Sequence, residues 1–158
     1  MEPSFEKGRE TSFPRRKATP NDIAFAREVH HAAFRHVIIR QFGNWKERVQ
    51  DKMFEEALKD FSAYEIIQSG GADVGYCHIE RAFDHMYLKE LVIAPLYQNR
   101  GIGTKILLEL IEEGKEKHIP VRLKVLKQNF AHDLYIKLGF KDIEEDGVHI
   151  HMEWNPTE

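Results

Sequence analysis

Two hydrophobic periods alternate along the chain. From Ile23 the apolar positions Ile23, Ala26, Val29, Ala33, Phe34 and Val37 recur at helical spacing, after a Thr19-Pro20-Asn21-Asp22 start in which Thr19 reads as a cap and Pro20 as a first helical residue. Past Gly43-Asn44 a second helix carries Val49, Met53, Phe54, Ala57, Leu58 and Phe61 on one stripe, with Glu47, Asp51, Glu55 and Glu56 off it. The pattern then shortens to strand-like runs at 63–68, 74–80 and 85–94, separated by Ser69-Gly70-Gly71 and Ala82-Phe83-Asp84, which predicts an antiparallel meander. Helical spacing returns over 101–117 with Ile102, Ile106, Leu107, Leu110 and Ile111, and Gly114 weakens its last turns. A strand at 121–126, a helix over 130–138 stopped by Gly139, and a closing hairpin of 140–143 with 148–154 complete the order β-α-α-β-β-β-α-β-α-β-β.

Length sets the scale of this pattern. A chain of 158 residues has room for one α/β domain that buries about 70% of its unfolded surface, so we expect a loose tail over 1–10 and a single domain over 11–158. The 23 basic and 26 acidic side chains leave a net charge of -3, which argues against nucleic acid as the main partner. No apolar run approaches the roughly 20 residues of a membrane span, and Met1-Glu2-Pro3-Ser4 has no signal-peptide character, so no membrane association and a cytoplasmic location are expected. The single cysteine, Cys77, excludes an intrachain disulfide framework and reads as a buried structural thiol.

Chemistry concentrates where the third meander strand ends. It runs through Pro95-Leu96-Tyr97 into Gln98-Asn99-Arg100-Gly101-Ile102-Gly103-Thr104 and directly into a helix. Glycines at 101 and 103 let backbone N–H groups approach an anion, the helix N-terminus adds about half a positive charge, and Arg100 stands at the rim. No Gly-Lys-Ser or Gly-Lys-Thr follows, and the spacing is not that of the dinucleotide fingerprint.

The segment Gln98-x-x-Gly101-x-Gly103, after Val92-Ile93-Ala94-Pro95, resembles the signature of the GCN5-related N-acetyltransferase (GNAT) family. Asn129-x-Ala131-x-x-Leu134-Tyr135-x-x-x-Gly139-Phe140 resembles that family's later cofactor segment, and Arg16-Lys17-Ala18-Thr19-x-x-Asp22 its usual opening. The similarity covers about residues 12–154. It implies an α+β fold, layered α/β/α, with a mixed and mostly antiparallel sheet of about six or seven strands and four helices. It also implies acetyl-CoA as co-substrate. Backbone groups of Leu91, Ile93 and Ala94 would meet the pantetheine arm where the strand splays from the next one. The loop from Gln98 and Asn99, with N–H groups of Arg100, Gly101, Ile102, Gly103 and Thr104, would take the pyrophosphate. Asn129 would contact the pantetheine end, and Tyr135 would be the general acid.

An ammonium group must lose a proton before it attacks a thioester, so a base or water chain is needed. Glu90 on the strand entering the cradle is the first candidate catalytic base; an outward salt-bridging carboxylate is its alternative. Glu80 is a second candidate on the acceptor side, with His78 two residues before it. The acceptor site is expected around 30–60, where Phe34, Phe42, Trp45, Phe54 and Phe61 with nearby acids would suit a cationic amine, although the carboxylates read more simply as the solvated face of the second helix and Trp45 as a wall, a lid or a packing residue. His149-x-His151 could place two imidazoles on one strand face, but the reaction needs no metal and none is expected. The reading is an N-acetyltransferase acting on a small primary amine. An acyl-CoA-binding sensor and a protein lysine or N-terminal acetyltransferase are the alternatives, and an edge strand at the closing hairpin makes a homodimer plausible.

Overall fold

The computed structural model describes residues 13–157; the proposed tail over 1–10 and the Thr11 start of the opening strand lie outside the described residues. Strand β1 (Arg15–Lys17) is followed by a 3-10 turn, Pro20–Asp22, and by helix α1 (Ile23–Phe42). The Asp22 carboxylate ties the start together: it accepts the Thr19 backbone N–H at 2.8 Å and both Arg16 guanidinium NH groups at 2.8 and 2.9 Å. Helix α2 (Glu47–Ala57) runs into a second 3-10 segment, Leu58–Ala63. The meander is β2 (Glu65–Ser69), β3 (Ala72–Arg81) and β4 (Met86–Ile93). Helix α3 (Ile102–Lys117), β5 (Val121–Leu126), α4 (Ala131–Lys137), β6 (Lys141–Glu145) and β7 (His149–Trp154) follow, as the hydrophobic pattern anticipates.

All seven strands form one sheet, ordered β1-β2-β3-β4-β5-β7-β6. Every neighbouring pair is antiparallel except β4 with β5. The sequence order does not reveal that β7 inserts between β5 and β6.

Helices cover both faces. Ala26 and Val29 of α1 and Phe54 of α2 pack on Ile66, Tyr76 and Val92, while α3 packs Ile102 and Ile106 against Ile67, Val74 and Cys77 on the opposite face. Leu107, Leu110 and Ile111 continue that second layer over Met86, Leu88, Val121 and Leu123, joined by Leu134 from α4 and Leu138 just after it. Cys77 is fully buried and burial pushes its thiol up to about 12, which fits the structural role expected of it. Gly114 proves to be a packing requirement rather than a weak point. A Cβ there would lie 2.8 Å from the Trp154 ring and 2.9 Å from the Ile119 carbonyl, so glycine lets α3 settle onto the sheet.

Two features of β4 open the site. Its pairing with β5 spans only Met86–Val121, Tyr87–Arg122 and Leu88–Leu123, after which the strands separate. The β3–β4 register also shifts between His78–Glu90 and Ile79–Leu88, leaving Lys89 as an extra residue in β4. Such a bulge bends and twists the strand that carries it. Beyond Leu88, one side of β4 faces a gap instead of a neighbour.

Candidate active site

The lower arm of that gap is a cleft of about 570 Å³ between β4, the start of α3 and α4. Leu91 and Ile93 wall it on one side, with Asn129 and Tyr135 on the other, and Gly101 and Gly103 at its base. Gly101 has φ +83° and nothing within 4 Å of an ideal Cβ, so this position requires glycine for its backbone conformation. Asn99 also takes a left-handed conformation, at φ 62°. The first bond of α3 runs from the Lys105 N–H to the Gly101 carbonyl at 2.9 Å, so the N–H groups of Ile102, Gly103 and Thr104 precede the helical ladder. Such a start leaves backbone N–H groups without helical partners, the arrangement that suits an anion.

The loop residues divide their work. The Gln98 side-chain amide donates to the Ile93 carbonyl at 2.9 Å, stapling loop to strand. Arg100 does not line the cleft; its guanidinium lies 5.2 Å from the Tyr97 ring centroid. Ala94 also stands back from it. Its N–H donates to Val74 and its carbonyl accepts from Tyr97, both at 2.8 Å, so Leu91 and Ile93 are the strand residues that face the cleft. Asn129 accepts the Ala131 N–H at 2.9 Å through Oδ1, which leaves its amide nitrogen to donate. The cleft beside Leu91 and Ile93, the N–H groups at the helix start and the splayed strand fit a pantetheine arm ending in a pyrophosphate.

A second cavity, of about 690 Å³, lies between α1, α2 and the β4–β5 gap. Phe34, Leu91, Asn129, Ala131 and Tyr135 line both spaces, so the two meet there. Tyr135 is half-buried against Phe140, at 5.9 Å between rings, and burial pushes its hydroxyl up to about 12. It is therefore a proton donor at neutral pH.

Glu90 lines the second cavity, half-buried, and accepts the Tyr64 hydroxyl at 2.7 Å. Burial raises its pKa above the ordinary carboxylate value, opposed by the Tyr64 hydrogen bond and Lys89. Burial and the Glu90 carboxylate in turn push the Tyr64 hydroxyl up, so the tyrosine keeps its proton and donates. His78 is buried opposite Glu90 across the β3–β4 pair.

Other expectations are not met by the geometry. Glu80 lines neither cavity and pairs with Lys89 Nζ at 3.2 Å. Trp45 also stays outside both; it packs on His31 at 5.0 Å between rings, under the Arg35 guanidinium. Glu47, Asp51, Glu55 and Glu56 all lie off the cavity, as the solvated-face reading has it. Asp51 instead holds His31 Nε2 at 2.8 Å, Glu47 accepts the Trp45 indole N–H, and Glu56 pairs with Lys59.

The wall comes from the stretch expected to shape the acceptor site, though from its aromatic and apolar side chains rather than its acids. His30, Phe34 and Ile38 stand at four-residue spacing on α1, and Phe54 joins them from α2. That i, i+4, i+8 stripe was the available signal. His30 Nδ1 contacts His31 Nδ1 at 3.0 Å, and burial, then His31, lowers its pKa to about 4, so it is neutral at physiological pH. His149 and His151 both lean on Asp146, with His151 Nε2 at 3.0 Å, and their rings stand 6.5 Å apart.

The sequence model of the Acetyltransferase (GNAT) domain matches residues 27–157. The chain belongs to the GNAT family. The ribosomal protein bS18-alanine N-acetyltransferase of Haemophilus influenzae is 33% identical over 72 residues, a match covering 45% of this chain and 49% of that protein. An uncharacterized N-acetyltransferase of Staphylococcus aureus is 32% identical over 75 residues, 46% and 47% of the two chains. The chain thus spans about half the length of the curated relatives it matches. Among solved structures, the PaiA N-acetyltransferase of Thermoplasma acidophilum in complex with coenzyme A superposes with a TM-score of 0.73 at 23% identity, covering 91% of this chain and 99% of that one. The ribosomal-protein-S18-alanine N-acetyltransferase of Escherichia coli gives a TM-score of 0.62 at 19% identity, covering 90% and 93%. The α/β/α layering and the splayed sheet are thus those of the GNAT fold. Among the described residues, no helix is long and apolar enough to cross a membrane.

Proposed function

We propose that this GNAT domain transfers an acetyl group from acetyl-CoA to the amine of a small molecule, by direct attack with both substrates bound. One observation carries this reading: the cradle-ended cleft and the second cavity meet at Tyr135 and Asn129, with Glu90 on the far wall. Acetyl-CoA would lie with its pyrophosphate on the N–H groups of Ile102, Gly103 and Thr104 and its pantetheine along Leu91 and Ile93. When bound it supplies the activated acyl group.

The chain's own residues then manage protons and charge. Glu90, raised by burial, is a better base than a free carboxylate and takes a proton from the incoming ammonium, directly or through water. Backbone N–H groups on the unpaired edge of β4 stabilise the oxyanion formed by amine attack. Tyr135 donates its hydroxyl proton, or a hydrogen bond, to the departing thiolate. The walls exclude bulk water from both reacting groups.

A cavity of about 690 Å³ is within the size range of small-molecule sites, which favours a small acceptor. Acetylation of a protein N-terminus is the second reading, favoured by the relatives described as ribosomal-protein alanine N-acetyltransferases. Release of free CoA thiol, followed over amino acids, polyamines, aminoglycosides and peptides, separates the two. Turnover of a small amine with a kcat about 10²- to 10⁴-fold lower in Tyr135→Phe, at unchanged acetyl-CoA affinity, is the expected result. Turnover confined to peptides transfers the acceptor to the second reading, and CoA binding without turnover of any amine sinks acetyl transfer.

A further inference from the structure

Resting on the acetyl-transfer reading, we infer that the acceptor is an amine that also carries an anionic group, such as a carboxylate, beside an apolar body. The second cavity has an unexpected charge balance. Its ionisable lining consists of Lys46, Lys89, Lys124, Glu90, His30 and His149. Both imidazoles have lowered pKa values, His30 through burial and His31, and His149 through burial and then the nearby Lys124, so neither histidine adds charge at neutral pH. Three ammonium groups therefore face one carboxylate.

The lysines are not equivalent. Lys89 is held by Glu80 at 3.2 Å and Asp60 at 4.0 Å. Among the described residues, no carboxylate lies within ion-pair distance of Lys46 or Lys124. They approach from opposite sides: Lys46 immediately precedes α2, while Lys124 alternates with the core residues Leu123 and Val125 and so projects from the other face of β5. Two uncommitted cations across a concave space raise the local concentration of anions and disfavour a second cation.

The remaining wall is apolar. Phe34, Ile38, Phe42, Val49, Met53 and Phe54 line it from α1 and α2, and Phe42, Val49 and Met53 are exposed there. A polyamine would place its extra ammonium groups against the lysines and leave this wall unfilled. An amine with an apolar side chain and a carboxylate matches all three features: nitrogen toward Glu90, hydrocarbon on the phenylalanines, anion toward Lys46 and Lys124.

Calorimetric titration of the full chain, saturated with CoA, reads this selectivity without requiring turnover. The probes are N-acetylphenylalanine, N-acetylphenylalaninamide and N-acetylspermidine. The acid is expected to bind about tenfold more tightly than the amide, since two exposed ion pairs each contribute a few-fold, and more tightly still than the polyamine. The Lys46→Gln/Lys124→Gln double variant loses that preference with CoA affinity unchanged, and the corresponding double arginine variant keeps it. Equal binding of acid and amide, tighter binding of the polyamine, no binding of any probe, or a preference that survives the glutamine variant overturns the inference. Thiol release with phenylalanine, phenylalaninamide and spermidine then separates the two levels of the reading. Carboxylate-selective binding without turnover refutes acetyl transfer and leaves the pocket chemistry standing, whereas turnover blind to the carboxylate refutes the pocket chemistry alone.

Discussion

Replacing Glu90 by glutamine separates the chemical role of this residue from its structural one. The glutamine carbonyl still accepts the Tyr64 hydroxyl, which reaches Glu90 at 2.7 Å, and side-chain volume hardly changes. What disappears is a carboxylate whose charged form is disfavoured by burial. Loss of a general base costs about 10²- to 10⁴-fold in rate, or roughly 3–5 kcal/mol of barrier. Stability should move the other way, with a rise in Tm, because the neutral amide has no charged form for burial to penalise. The sign follows from linkage. A carboxyl whose pKa is raised on folding binds its proton more tightly in the folded state, so stability is greatest below the unfolded value and declines as pH rises through the folded value. The variant lacks that decline, so its Tm advantage grows from about pH 4.5 upward and then levels off. Thiol-release kinetics over a pH series on the best acceptor, with thermal melts on the same samples, provide both readouts. A variant within about threefold of the parent in kcat/KM at every pH would refute the assignment of Glu90 as base.

The phosphate cradle and the chain start yield further expectations. Gly101→Ala forces a left-handed residue at φ +83° with no clash around the new Cβ, so it should cost about 1 kcal/mol in urea unfolding and weaken CoA affinity in calorimetry. Asp22 is held down to about 2, by its hydrogen bonds from Arg16 foremost. Its contribution is present above the unfolded value of 3.8 and is lost as pH falls toward 2. Asp22→Asn should therefore lose about 1–2 kcal/mol at pH 7, the lower end applying because the Arg16 side chain is 37% exposed, and parent and variant should converge in urea melts near pH 2.

The parts of the site that were legible in the sequence are those written in local spacing. Gly101 and Gly103 at a strand-to-helix junction define a cradle by backbone chemistry alone, and Asn129 and Tyr135 stand on one short turn and helix. The misplaced residues depended on long-range geometry. Glu80 stood two residues after His78 on the strand beside Glu90, but the register shift at Lys89 intervenes and Lys89 holds the Glu80 carboxylate. Trp45 had equal claims as an acceptor wall and as a packing residue until its partners His31 and Arg35 came into view. Lys124 was visible only as the outward residue of an alternating strand. Knowing that it faces the same cavity as Lys46 requires the strand order and the gap beside β4.

The short β4–β5 ladder also has a mechanical consequence. Among the described residues, three residue pairs are the only strand-to-strand seam between β1–β4 and β5–β7, with α3 bridging the two groups from one face. A sheet joined this way opens along its seam before it opens elsewhere, so the amides of Leu88 and Arg122, which point across it, should exchange faster than those in the β2–β3 and β5–β7 pairs. A ligand lodged in the gap acts as a rivet across that seam. At a hundred times its dissociation constant it would add about 2.7 kcal/mol to folding, and the slowed exchange should be concentrated along that line.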